Sequence, residues 1–184
     1  AFFLAADTAD FKKKSGELLA AKIISEKNLN KAVIEEFVMG AQVNLNYFYS
    51  PLTGEVELMG TDMRRQTNLD GLLRLPATEQ MAVMKYVKPR MIETGHVAVT
   101  MKESLLEKAY EIGERFVSLT QKSVAPGIIG PFALQGAVAA EDGREEFVIF
   151  DVSMRIPGSP GTRFTPYSGY LYGDSLSYGE RIAH

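Results

Sequence analysis

The sequence has no cysteine and no tryptophan, and only two of its 184 residues are histidine. Without cysteine there can be no disulfide and no thiolate chemistry, which fits a reducing, cytoplasmic setting. Two histidines, one of them the terminal His184, leave little material for a histidine-rich metal centre. An excess of charge of either sign is also missing. Twenty basic residues stand against 23 acidic ones, for a net charge of −3, so the global field gives no case for a nucleic-acid partner. No apolar run approaches the length of a membrane span and no signal peptide is visible, so no membrane partner is expected.

What is present is the composition of a globular chain, 46% hydrophobic and 23% charged, long enough to bury a core. The chain opens directly on AFFLAA, and a core strand at residues 1–5 predicts a fragment of a longer protein. DTADFKKKSGELLAAKIISEK has helical spacing, with Phe11, Leu18, Leu19 and Ile23 on one side and Asp7 or Thr8 as N-cap. AVIEEFV reads as a short strand, AQVNLNYFYS as a longer one ending at Pro51, and EVELMGTDMR as its return across an LTG turn. RRQTNLDGLLRLPATEQ lacks a clean period and predicts an irregular loop with a short helix near Glu79. MIETGHVAVT resumes as a strand. Thr100-Met-Lys-Glu103 has capping-box spacing, and the helix it opens lines up Leu105, Leu106, Ala109, Ile112, Gly113, Phe116 and Val117. FALQGAVAA and EEFVIFDVSMR predict a hairpin around Glu141-Asp142-Gly143. A last helix starts near Ser175 or Ser177, with Glu180 completing a capping box. The class is α+β, a mixture of helices and mostly antiparallel strands in one region, 1–184.

Several stretches could carry chemistry. In FVIFDVSMRI, residues 147–156, strict alternation puts Val148, Phe150, Val152, Met154 and Ile156 on an apolar core face. Phe147, Ile149, Asp151, Ser153 and Arg155 fall on the other face. The hairpin register places Gln135 nearly opposite Asp151, so a carboxylate, an amide oxygen and a hydroxyl gather at one end of a sheet, where they could hold Mg²⁺ or Mn²⁺. Arg155 could meet a phosphate or carboxylate. The same spacing also describes an ordinary Asp–Arg pair on a solvated strand end. In VIEEFVMG, an apolar strand carrying Glu35 and Glu36 offers a slot and edge contacts for a flat heterocycle. In TDMRRQTNLDG, Arg64, Arg65 and Asn68 suit a phosphate or ribose, or form a polar surface loop. His96, in ETGH, reads by itself as a structural histidine. PGSPGTRFTPYSGYLYG has the content of an anion-binding loop but neither the GxxxxGK[ST] nor the GxGxxG spacing.

Together AVIEEFVMG, YFYSPLTGEVELMGTDMRRQTNLDGLLRLP, KESLL, IGPFALQGAV and FVIFDVSMRI…GERIA resemble the C-terminal ATP-grasp region of archaeal formate–phosphoribosylaminoimidazolecarboxamide ligases, nearly end to end. The resemblance implies an ATP-grasp fold. It also implies an ATP- and formate-dependent ligase of purine biosynthesis that formylates aminoimidazole carboxamide ribonucleotide through formyl phosphate. It puts Glu35, Glu36, Phe37 and Val38 at the adenine hinge and Asn68 at an ATP contact. His96 falls where the family has a nucleotide-binding asparagine, Gln135 and Asp151 fall on two metal positions that are typically glutamates, and Arg155 takes a catalytic place. The family's N-terminal substrate domain and glycine-rich loop would precede residue 1, so this region would supply one wall of the site, as part of a homo-oligomer. The neutral Gln135 leaves a second expectation, a non-catalytic or paralogous ATP-grasp module serving nucleotide binding or oligomer assembly.

Overall fold

The alternation in AQVNLNYFYS builds β1 (Ala41–Ser50), the central strand of a five-stranded sheet. The computed structural model describes residues 3–90, 92–158 and 169–184. Contacts divide the chain into two compact units, Ala1–Met39 and Gly40–His184.

The first unit carries α1 (Thr8–Ala20) and α2 (Glu26–Leu29). Asp7 caps α1 as its side chain accepts from Asp10 N, relieving an orphan amide of the first turn. The helix ends at Ala20, so Ile23 lies beyond it and is exposed. Among the described residues neither of two expected strands, at 1–5 and at 32–38, forms. Residues 3–5 and 32–39 have no ladder partner, and an extended segment without one does not become a strand.

The second unit adds β2 (Glu55–Gln66), α3 (Thr67–Leu72), α4 (Ala77–Val83), β3 (Glu93–Ala98), α5 (Glu103–Ser123), β4 (Gly130–Glu141), β5 (Arg144–Ser153), α6 (Gly169–Tyr172) and α7 (Tyr178–Ala183). The short helix expected near Glu79 is α4, and the stretch before it, expected to be an irregular loop, holds a further short helix, α3. Sheet order is β3-β2-β1-β4-β5, with every pair antiparallel. The β4–β5 turn is the expected one, with Asp142 and Gly143 both at positive φ, 50° and 74°, as a tight hairpin turn of this hand requires.

One face of the sheet is core. Val43, Leu45, Tyr47 and Tyr49 alternate along β1 and cluster with Leu58, Phe132 and Leu134 and with Ala109 and Val117 of α5. The α5 stripe is the one its spacing predicts, with Leu105, Ala109, Gly113 and Val117 buried. Its capping box does not form. The helix starts at Glu103 itself, which makes that residue the first helical position instead of the third and leaves Lys102 as a cap without a side-chain bond. At the other end of the chain the expected box is present, between Ser177 and Glu180.

Bulges set which side chains share a face. At Phe150 the β4–β5 register shifts, so Ile149 pairs with Gly136 while Asp151 pairs with Gln135. Strict alternation fails there. Phe147 and Ile149, assigned by alternation to the polar face, lie against the core, whereas Phe150 and Met154 are 47% and 67% exposed. A second bulge, at Met59, brings Glu57 and Asp62 to one face although five positions separate them.

Candidate functional site

The sheet face away from α5 has two halves. Over one, α7 lays Tyr178 against Phe48 and Met59. Arg181 of α7 bonds Glu57 through Nε (2.8 Å) and Nη2 (2.5 Å) and sits 4.4 Å above the Phe48 ring. Both charges are buried, so the pair is held by bidentate geometry and by the aromatic ring beneath it.

The other half is polar and open. In register across the strands lie Asp62, Asn44, Gln135 and Asp151. Asp62 is 2% exposed. Its carboxylate accepts from Asn44 Nδ2 (2.6 Å) and Asn46 Nδ2 (2.5 Å), and its Oδ1 lies 2.6 Å from His96 Nδ1. The other ring nitrogen, Nε2, is 2.8 Å from Glu93 Oε1. Glu93 in turn places Oε2 3.3 Å from Arg64 Nε. Arg64 Nη2 donates to Gln135 Oε1, and Gln135 Nε2 donates to Ser153 Oγ at 3.1 Å. These contacts make one continuous polar chain from β3 to β5, bordering a recess of about 30 Å³ that Arg155 and Gly158 also line. Burial alone would lower the His96 pKa, but the hydrogen bonds to Asp62 and Glu93, with their charges, outweigh it and hold the imidazole above its usual value.

The residues singled out from sequence fare unequally. His96, Gln135, Ser153, Arg64 and Arg155 come together around the recess. Arg155 is exposed and donates to the Ile156 carbonyl. Asp151 stands opposite Gln135 as expected, but it is exposed and its Oδ1 accepts from Val152 N. Asn68 has both ends of its amide engaged, donating to Lys88 O (3.0 Å) and accepting from Arg90 N (2.6 Å), so it ties α3 to the segment between α4 and β3. Glu35, Glu36, Phe37 and Val38 belong to the first unit and are not in this lining. Of the Gly/Pro-rich loop, residues 159–168 lie outside the described residues. Asn44, Asn46, Asp62 and Glu93 were missed, although polar residues two apart in a strand such as Asn44 and Asn46 signal a polar face.

Gln135 and Asp151 do not fit together as a metal-binding pair in this arrangement. The Gln135 oxygen already accepts from a guanidinium, and a divalent cation at that oxygen would face the Arg64 charge. Among the described residues, no group of three or more His, Cys, Asp or Glu side chains is disposed to hold a metal ion. What the recess offers is cationic hydrogen-bond donors, Arg64 and Arg155, beside the Ser153 hydroxyl, which suits an oxyanion. No helix among the described residues is long and apolar enough to cross a membrane.

Known proteins with similar sequences share one activity in their names. The chain is 39% identical over 184 residues to the 5-formaminoimidazole-4-carboxamide-1-(beta)-D-ribofuranosyl 5'-monophosphate synthetase of Methanocaldococcus jannaschii, covering 99% of this chain and 50% of that protein. The synthetase of the same name from Methanopyrus kandleri is 37% identical over 182 residues, 99% of this chain and 49% of its own. The crystal structure of an IMP biosynthesis protein PurP from Thermococcus kodakaraensis aligns with a TM-score of 0.66 at 35% identity, over 81% of this chain and 45% of that one. The chain thus spans about half the length of the curated relatives it matches. A family model described as "Domain of unknown function (DUF1297)" matches residues 10–184, and the chain belongs to that family.

Proposed function

We propose that this chain forms the C-terminal ATP-grasp portion of an ATP- and formate-dependent ligase that formylates aminoimidazole carboxamide ribonucleotide. One observation carries the reading: similarity to synthetases of that name runs over 99% of the chain. The polar sheet face supports it. In such a reaction the γ-phosphoryl group passes from ATP to a formate oxygen, giving formyl phosphate and ADP. The substrate amine attacks the formyl carbon, the bond to the phosphate oxygen breaks, and the nitrogen gives up a proton. Negative charge lies on phosphate and carboxylate oxygens throughout. Positioned guanidinium groups stabilise such charge, the part this reading gives to Arg64 and Arg155. His96, beside the anchored Asn44 and Asn46, would border the nucleotide substrate. Asp151, whose carboxylate is exposed, is the residue of this chain that would meet the magnesium carried by ATP, and Glu35, Glu36, Phe37 and Val38 would border the adenine.

The test is turnover of aminoimidazole carboxamide ribonucleotide by the full-length gene product with ATP and formate, followed by chromatography. Formate-dependent product is expected, with Arg155→Ala at least ~100-fold slower, since one lost transition-state donor costs that much. Absence of product from the folded full-length protein overturns the reading. A second reading, a paralogous nucleotide-binding module, is favoured by Gln135, a neutral residue whose oxygen is engaged by Arg64. Nucleotide binding without turnover would select it.

A further inference from the structure

The polar chain has a protonation preference that follows from its connectivity. An ionised carboxylate only accepts hydrogen bonds. His96 has a carboxylate on each ring nitrogen, Asp62 on Nδ1 and Glu93 on Nε2, an arrangement that favours hydrogen on both nitrogens and a cationic ring. Around it stand Asp62 and Arg64 from β2, Glu93 from its own strand, and the neutral Asn44 and Asn46 from β1. Gly158 closes against the ring, where an added Cβ would collide with the imidazole. Arg155 lines the same recess, and Asp151 lies beyond Gln135 at the sheet edge.

We propose that the recess is an oxyanion site, for a phosphate or a carboxylate, in which Glu93 is the positioning residue for Arg64 and His96 protonation sets the affinity. With His96 charged, three cations (Arg64, Arg155 and His96) face two carboxylates (Glu93 and Asp62), and an anion is attracted. Glu93 then divides its charge between His96 Nε2 and Arg64 Nε, and Arg64 keeps Nη2 on Gln135. With His96 neutral the charges are equal in number, and one carboxylate loses its donor. Glu93 then draws Arg64 toward itself and away from the recess. Ser153 accepts from Gln135, which leaves its own hydrogen for a bound anion. The narrow volume, about 30 Å³, admits the anionic end of a molecule. The proposal deepens the ligase reading, which gives Arg64 and Arg155 the same phosphate and carboxylate charge, but anion binding is read separately from turnover.

The experiment is nitrogen-15 NMR of the labelled full chain, where the two histidines are told apart by His96→Asn. Inorganic phosphate and formate are titrated separately at pH values below and above the His96 midpoint. His96 is expected to stay doubly protonated above the ordinary histidine value of 6.5, and Glu93→Gln to lower its midpoint. Binding of either anion should shift the His96 and Arg64 Nε signals and weaken about tenfold above the midpoint, the size of one lost charge-assisted contact. Phosphate alone binding marks a phosphoryl site, and formate alone a carboxylate site. Neither binding, equal binding on both sides of the midpoint, or a His96 midpoint at or below the ordinary 6.5, overturns the proposal. Should Glu93→Gln lose the dispersed amide spectrum of a folded chain, the wild-type titrations decide by themselves.

Discussion

At the scale of single residues, Asp62 does the most. It is buried on β2 and satisfies two amides and an imidazole at once. Asp62→Ala leaves the Asn44 and Asn46 amides short of an acceptor and the half-buried His96 ring without its Nδ1 partner. The loss should be about 3–5 kcal/mol, read as a lower urea midpoint at unchanged slope. His96 makes stability depend on pH. Its folded pKa is raised above the ordinary 6.5, so the folded state binds the proton more tightly than the unfolded state. The contribution is full below about pH 6.5 and is lost as pH rises through the folded value. Urea unfolding across that window should show stability falling with pH, and His96→Asn should remove the slope. Flat stability in the parent would contradict the double carboxylate contact.

At the scale of elements, α5 lies close to the sheet because Gly113 faces Tyr47. A Cβ on Gly113 would come within 2.7 Å of Tyr47 Cε1, and the same tyrosine donates to Ala109 O at 2.6 Å. Two effects compete in Gly113→Ala. Helix propensity favours alanine by about 1 kcal/mol, whereas forcing a buried ring aside costs about 1–3 kcal/mol and pulls on the Tyr47 hydrogen bond. The collision should win, and thermal unfolding should show a lower Tm. The bulges act at this scale too. Without the extra residue at Phe150, alternation cannot place both Ile149 in the core and Asp151 on the recess side.

At the scale of the whole molecule, one helix covers one sheet face, and the other face is shared between a buried ion pair and the recess. Every residue of both core clusters lies within Gly40–His184. A chain truncated to 40–184 should therefore keep a cooperative thermal transition and the two distinct histidine signals. A broad, non-cooperative melt followed by circular dichroism would show that the core needs the first 39 residues.

The strands from β1 onward, the α5 stripe, the β4–β5 turn and the last capping box were legible because each follows from spacing or local turn chemistry. The pairing of Gln135 with Asp151 was legible too, since a tight turn fixes the register of its hairpin. Residues 32–39 were misread because an apolar run becomes a strand only with a partner, and partners are a tertiary fact. Asp62 and Glu93 were missed because they lie 31 positions apart and meet through His96. The engagement of the Gln135 oxygen was equally hidden, since Arg64 reaches it from 71 positions away. The sequence by itself determined the strands from β1 onward, α5, α7 and the hairpin register, where neighbours along the chain decide the outcome. Only the tertiary structure decided which polar groups meet, because bulges and strand order choose the shared face and burial then makes each unpaired group too costly to leave alone.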